Sequence, residues 1–380
     1  MEIHIKINLD DRIVSAVRRV ASRRNAGVAL ALGVLGASVA VFAAPLSKPH
    51  SFAAGDAIHA SDINDNFDAL YEELNARTIT ADQTIEVADC EALLSALVSL
   101  DDKRIASHAT VTLELAEDTS ACPSEVSIDH PDGVHIQIVG AGSDKTMLTF
   151  FGGDGFVLPM SRSVGLIDKL SIRGSNVGGH GVLVQGSASA KLGHDFVVSA
   201  FVDGVRTTGG WVHAEGVVSK DNTDDGFEAG YGGFIMASDT VASGNAMMGY
   251  NAYLSSGMLA NGASAQDNTL LGYNANINSG MQVGENGSAS GSEHGYNANA
   301  NSAIVIFDSS ASNNSAFGFA ASKDSVIDAV TPTSNDNGTG FVAVSGSYVN
   351  FTNPTGNTLT VAAPGADVFN QVERSLVREP

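Results

Sequence analysis

The sequence predicts an all-β solenoid, a parallel β-helix winding one coil per 22–23 residues. Three observations carry this. First, a glycine followed by an apolar residue recurs at Gly181-Val182, Gly204-Val205, Gly226-Phe227, Gly249-Tyr250, Gly272-Tyr273, Gly295-Tyr296, Gly318-Phe319 and Gly340-Phe341, in steps of 22 or 23 residues; a fixed period of this size is the mark of a stacked repeat. Second, residues after each glycine alternate with period two, as in a strand with one buried face. Third, leucine is nearly absent from the repeats while the chain holds 41 glycines, which excludes a leucine-rich solenoid and a helical globule.

Residues 1–43 read as a secretory signal. Six bases (Lys6, Arg12, Arg18, Arg19, Arg23, Arg24) precede an uncharged stretch, residues 26–44, and Val41-Phe42-Ala43 offers small residues for cleavage. Export to the cell surface or medium, or to a periplasm, is expected, with no membrane attachment once the signal is cut. Cleavage removes six bases and three acids and leaves a charge of −25. Such a chain repels phosphate backbones, so no nucleic-acid partner is expected. Cys90 and Cys122 both lie in the exported part, where an oxidising compartment favours a bridge stabilising the fold by roughly 3 kcal/mol.

Residues 44–84 read as a linker with one short amphipathic helix. Ile63, Phe67, Leu70 and Leu74 are spaced 4, 3 and 4, a heptad seam with Ser61 as candidate N-cap. A seam this short does not hold alone. It looks like the neck of tailspike-like trimers, so a homotrimer is one expectation and a helix packed on the solenoid end is the other. "CEALLSALVSLDDKRI" from Cys90 then reads as a capping helix with Leu93, Leu94, Leu97, Val98 and Leu100 on its apolar face. The solenoid is expected over residues 85–362 and a tail or cap over 363–380.

Within the repeat, Val184, Thr207, Ala229, Ala252, Ala275, Ala298, Ala321 and Ala343 stand three after the glycine, facing the core beside the aromatic residue. Ser256, Ser279, Ser302, Ser325 and Ser347 form a polar corner, and Ile235, Met258, Met281, Ile304, Ile327 and Val349 start a second strand. Asn222, Asn245, Asn268 and Asn314 stand four before the glycine, where an amide tolerates a left-handed bend and can bond its neighbour one coil away. Asn251, Asn274 and Asn297 are expected to face water.

These coils, with their asparagine column and stacked aromatics, resemble the right-handed parallel β-helix of the pectin lyase-like superfamily. The resemblance implies that fold and an N-terminal cap. It does not choose a function, because such folds carry lyases, hydrolases, esterases and adhesins.

Chemistry is concentrated in residues 191–228. Arg206, His213, Glu215 and Glu228 are the candidate catalytic residues, with Arg206 and Glu228 at the same strand position of adjacent coils. Asp224 and Asp225 are candidate metal ligands, which makes Ca²⁺ the one candidate cofactor. "NTDDG" at Asn222 and "GHG" at Gly179 resemble the carboxylate and histidine motifs of polygalacturonases. Here the histidine motif precedes the carboxylates, no RxK motif follows, and both motifs coincide with the bends of the repeat. Asn251, Asn274, Asn276, Asn297 and Asn299 are the candidate carbohydrate-binding residues, since amides bond sugars but do not act as acid or base. The base-poor coils favour a non-catalytic surface or adhesin-like protein with a polysaccharide or cell-surface glycan as partner. The alternative is a lyase or hydrolase acting on an acidic glycan.

Overall fold

The protein is described by a computed structural model covering residues 50–52, 59–176, 178–356, 360–362, 367–370 and 375–377. The expected signal, residues 1–43, lies outside the described residues, as does most of the 363–380 tail. No described helix is long and apolar enough to cross a membrane. The chain divides into two units, residues 1–76 and 77–380.

The first unit contains helix α1, Ala60–Ala76. Its seam is fully displayed: Ile63, Phe67, Leu70 and Leu74 are each more than a third exposed. Ser61 is not the cap, because it lies inside the helix and its hydroxyl donates to Asp62 Oδ1.

The second unit is the parallel β-solenoid. Helix α2, Cys90–Leu100, opens with Asp89, whose carboxylate accepts from the Ala92 N–H at 2.8 Å. Leu93, Ala96, Leu97 and Leu100 are buried, whereas Val98 points to solvent. A disulfide joins Cys90 to Cys122.

Each regular coil contributes three strands to three sheets, one of 14 strands and two of 11 among the described residues, parallel throughout except for the last pair of the 14-stranded sheet. In one coil, Met248–Tyr253 belongs to the sheet of the GYNAN strands, Gly257–Asn261 to the 14-stranded sheet, and Ser264–Gln266 to the remaining sheet. The sequence reading found the first two strands and missed the third, a Ser-Ala-polar triplet too short to show a period.

Register is strict. Tyr250 pairs with Tyr273, and Tyr273 with Tyr296. Their rings stack at 4.8 Å with interplanar angles of 7° and 3°, and Phe227, Phe319 and Phe341 extend the column. The bend glycine is required by close approach. A Cβ on Gly249 would stand 2.8 Å from the Gly272 carbonyl oxygen and 3.0 Å from Ala265 Cβ.

Two polar columns hold the corners. Asn222 Nδ2 donates to Asn245 Oδ1 and Asn245 Nδ2 to Asn268 Oδ1, both at 2.9 Å, and all three residues are buried. The left-handed bend falls on the residue before the asparagine, Asp221 (φ 55°) or Asp267 (φ 52°), not on the asparagine as the sequence suggested. In the serine column the backbone N–H of Ser279 donates to Ser302 Oγ, and that of Ser302 to Ser325 Oγ, each at 3.1 Å.

Truncating the middle ring tests the aromatic column. Tyr273→Ala removes a fully buried ring with a neighbour on each face and lowers unfolding free energy by about 3–5 kcal/mol. Tyr273→Phe loses only the hydroxyl's bond to the Ala263 carbonyl and costs about 1 kcal/mol. Urea denaturation followed by circular dichroism separates the two.

Candidate active site

The site forms where two outward columns change character. Immediately before the bend glycine, successive coils carry Asp154, His180, Asp203, Asp225 and then Met248. Two residues after the bend they carry Leu183, Arg206, Glu228, Asn251 and Asn274, paired in register. Backbone geometry fixes the first column. Asp154 accepts from the His180 N–H, Asp203 Oδ1 from the Asp225 N–H at 3.1 Å, and Asp225 Oδ1 from the Met248 N–H at 3.0 Å. Each carboxylate is thus held by the backbone of the next residue in the column.

Asp203, Asp224 and Asp225 each bring a carboxylate oxygen within 4.8 Å of the other two. Three acids so close cannot all ionise freely, and their surroundings separate them. Asp203 is fully buried. Burial works against its charge, but His180, the Asp225 N–H and Glu228 outweigh it and hold Asp203 below the usual carboxylate range. His180 Nδ1 lies 3.0 Å from Asp203 Oδ2, close enough for an ion pair although bent away from a straight hydrogen bond. Asp225 is driven the other way. Burial pushes it well above its usual range, Asp203 and Asp224 add to that, and the Asn251 amide opposes them. Asp224 is half-buried and raised, by burial first and Asp203 second, with Arg206 and His180 acting against the shift.

Arg206 stands over the cluster. Nη1 donates to Asp203 Oδ2 at 3.1 Å, and Nη2 donates to the Tyr253 hydroxyl at 3.2 Å and faces Glu228 Oε1 at 3.4 Å. Burial and then Asp203 raise Glu228 to about 8, with Arg206 opposing. Tyr253 packs against Gly230, where a Cβ would meet its ring at 2.5 Å. Its ring edge meets Tyr231, which is 62% exposed, with centroids 5.5 Å apart. An exposed tyrosine beside a carboxylate cluster offers a flat apolar face and a polar rim.

Of the four catalytic candidates, the structure brings Arg206 and Glu228 together and separates His213 and Glu215 from them. His213 and Glu215 lie on Trp211–Glu215, in the 14-stranded sheet, where Glu215 pairs with His194 at 3.1 Å. The corner at Gly209 (φ 80°) and Gly210 turns the chain onto another face between Arg206 and His213. The amide candidates divide likewise. Asn251 and Asn274 are buried, contrary to the expectation that they face water, while Asn276, Asn297 and Asn299 are half-buried. Sequence reasoning missed Asp203 and set His180 aside. Reading down the position before the bend glycine finds both.

Asp224 and Asp225, the expected metal ligands, do sit in a group of three carboxylates. The donor set fits protons better than Ca²⁺. Both oxygens of Asp225 and both of Asp203 already face N–H donors, and the Arg206 guanidinium occupies the cationic position at Asp203. Calcium needs six to eight oxygens with free lone pairs.

No protein-family profile matches the sequence, and no curated protein is similar to it. Among solved structures, the catalytic domain of Agl-KA is 11% identical over 75% of this chain and 66% of that one, with a TM-score of 0.43. A catalytic domain of a GH87 alpha-1,3-glucanase, a variant in complex with nigerose, is 14% identical over 76% of this chain and 69% of that one, with a TM-score of 0.39. At these scores the likeness says nothing about chemistry.

The pH dependence of stability reads out the cluster. Glu228 ionises near 4.5 when unfolded and near 8 when folded, so between these values the unfolded chain binds fewer protons. Stability therefore falls as pH rises through that window, and Asp225 acts in the same sense. Glu228→Gln removes its share, a slope of at most about 1.4 kcal/mol per pH unit. The stability difference between variant and wild type, from urea midpoints, grows from about pH 5 to about pH 8.

Proposed function

We propose that the protein is a glycoside hydrolase acting on a polysaccharide laid across the GYNAN sheet, with Asp224 as proton donor. The supporting observation is that, among the described residues, Asp203, Asp224 and Asp225 lie together with their proton affinities shifted in different directions. Such a division is how neighbouring carboxyls take acid and base roles at one pH. The catalytic alternative therefore displaces the non-catalytic, adhesin-like reading that base-poor coils favoured in the sequence.

Roles follow from exposure and charge. Asp224 is the member of the trio with solvent access, and burial and Asp203 raise its proton affinity, the direction a proton donor needs. Asp203, ionised beneath the surface, orients His180, which is half-exposed and takes the proton of the attacking water. The glycosidic C–O bond breaks, water oxygen joins the anomeric carbon, and Asp224's proton goes to the departing oxygen. Arg206 holds Asp203 and Glu228 in place, and Tyr231 with Tyr253 gives the sugar a face to stack on.

Charge argues for a neutral glycan rather than the acidic one first expected. Arg206 is already shared by two carboxylates, and residues 245–322 contain no lysine or arginine. A uronate entering those coils finds no lysine or arginine to pair with. Elimination also needs a cation to offset the uronate carboxylate, and the cluster supplies none that is free. The Cys90–Cys122 bridge fits a protein that works in an oxidising compartment outside the cytoplasm.

The test is release of reducing ends from a panel of neutral and uronic polysaccharides. Wild type cleaves a neutral polymer, with no rise in absorbance from unsaturated uronates. Asp224→Asn and Asp203→Asn each lower kcat by about 10²–10⁴, and EDTA leaves the wild-type rate unchanged. Activity confined to polyuronates, or abolished by EDTA and restored by Ca²⁺, defeats the assignment.

A further inference from the structure

Beyond the three aspartates, one line of amides runs from the cluster into the later coils. Asn251 Nδ2 donates to Asp225 Oδ2 at 2.7 Å. Asn274 Nδ2 donates to Asn251 Oδ1 at 2.9 Å, and Asn297 Nδ2 donates to Asn274 Oδ1 at 2.8 Å. Every amide points the same way, with N–H towards the aspartate and oxygen away from it.

That polarity has a cause. The Met248 N–H donates to Asp225 Oδ1, so the carboxylate is an acceptor there. If Asn251 turned its oxygen towards an ionised Asp225, two acceptors would meet at 2.7 Å. The ionised carboxylate therefore selects the orientation of Asn251. Asn274, by donating to the Asn251 oxygen, fixes that orientation from behind, and Asn297 does the same for Asn274. All three lie in register on adjacent parallel strands, so the line is continuous. Aligned amides also polarise one another, so each link strengthens the next.

We propose that Asn251 and Asn274 are positioning residues of the carboxylate cluster, acting as a one-way hydrogen-bond line that holds Asp225 from the C-terminal side. Asn251 acts by direct contact. Asn274, one coil further, touches no carboxylate and acts only through Asn251. This deepens the hydrolase reading and rests on it for its catalytic consequence. The groups facing Asp225 are Asp203 one coil back with His180 and Arg206 behind it, Asp224 beside it in sequence, Glu228 on the strand that follows it, and Tyr253 over Arg206. Within this set Asn251 is the side chain that opposes the burial of Asp225 by donating to it.

Both pH–rate profiles and pH profiles of urea unfolding are measured on the full chain, for wild type and three variants. Asn251→Ala lowers kcat by about tenfold or more with KM changed less than about twofold, and moves the Asp225 ionisation step upward by about one pH unit in both profiles. Asn274→Ala moves the step in the same direction by a smaller amount and leaves the Asn251–Asp225 contact in place, which covers the case in which Asn251→Ala does not fold. Asn268→Ala, in the buried corner column away from the carboxylates, lowers the unfolding midpoint at every pH without moving the step. The proposal is overturned if Asn251→Ala or Asn274→Ala behaves like Asn268→Ala. If no glycan is cleaved, the hydrolase reading falls while the unfolding profiles still decide the amide line.

Discussion

The structure depends on one constraint, that like residues of successive coils stack in register. Parallel pairing sets a repeat of 4.8 Å between tyrosine rings, and every column of the sequence inherits it. A column is therefore allowed only if its side chain tolerates an identical neighbour at that distance. Aromatic rings, alanine, serine and asparagine all do. Rings stack face to face, alanine leaves room for them, and serine and asparagine each carry donor and acceptor together. The composition that excluded a helical globule follows from this rule.

Carboxylates fail the rule, and that is where the site lies. An ionised aspartate is acceptor only, so a stack of them repels. Asp203 and Asp225 occupy adjacent coils of one column, and the structure relieves the repulsion in three ways. His180 and Arg206 place positive or proton-donating groups at Asp203, the next backbone N–H is shared to each acid, and burial with its acidic neighbours raises the proton affinity of Asp225. An acid column interrupted by histidine and followed by methionine is locally unfavourable for folding. Such conflicts between local preference and fold are where function is expected.

The sequence made the fold legible because stacking writes one residue type at one spacing many times. Gly249, Gly272 and Gly295 with their tyrosines were enough to set period, strand and core. The third strand escaped because Ser264–Gln266 and its counterparts in the neighbouring coils are three residues long. The site was only half legible. The pairing of Arg206 with Glu228 was legible because both sit in a strand, where register in adjacent coils can be counted. Asp203 was missed because it stands at the corner before its glycine, where irregular early coils obscure the column. His213 and Glu215 were misplaced because sequence does not reveal how sharply Gly209 and Gly210 turn the chain. Asn251 and Asn274 looked like surface because polar residues usually are. Stacking buried them by covering each amide with the next.

The same logic explains why amides follow acids in the second column. Glu228 gives way to Asn251, Asn274 and Asn297 with no change of strand or face. Asparagine is one methylene shorter than glutamate, but both end in a planar polar group at the same register position. What changes is the hydrogen-bond role, from a group that only accepts when ionised to one that donates on one side and accepts on the other. An amide column is indifferent to direction until something at its end chooses. The acid at the boundary makes that choice, and the repeat carries it outward coil by coil. A solenoid that appears uniform along its length thus has a polarity set by a single buried carboxylate, Asp225.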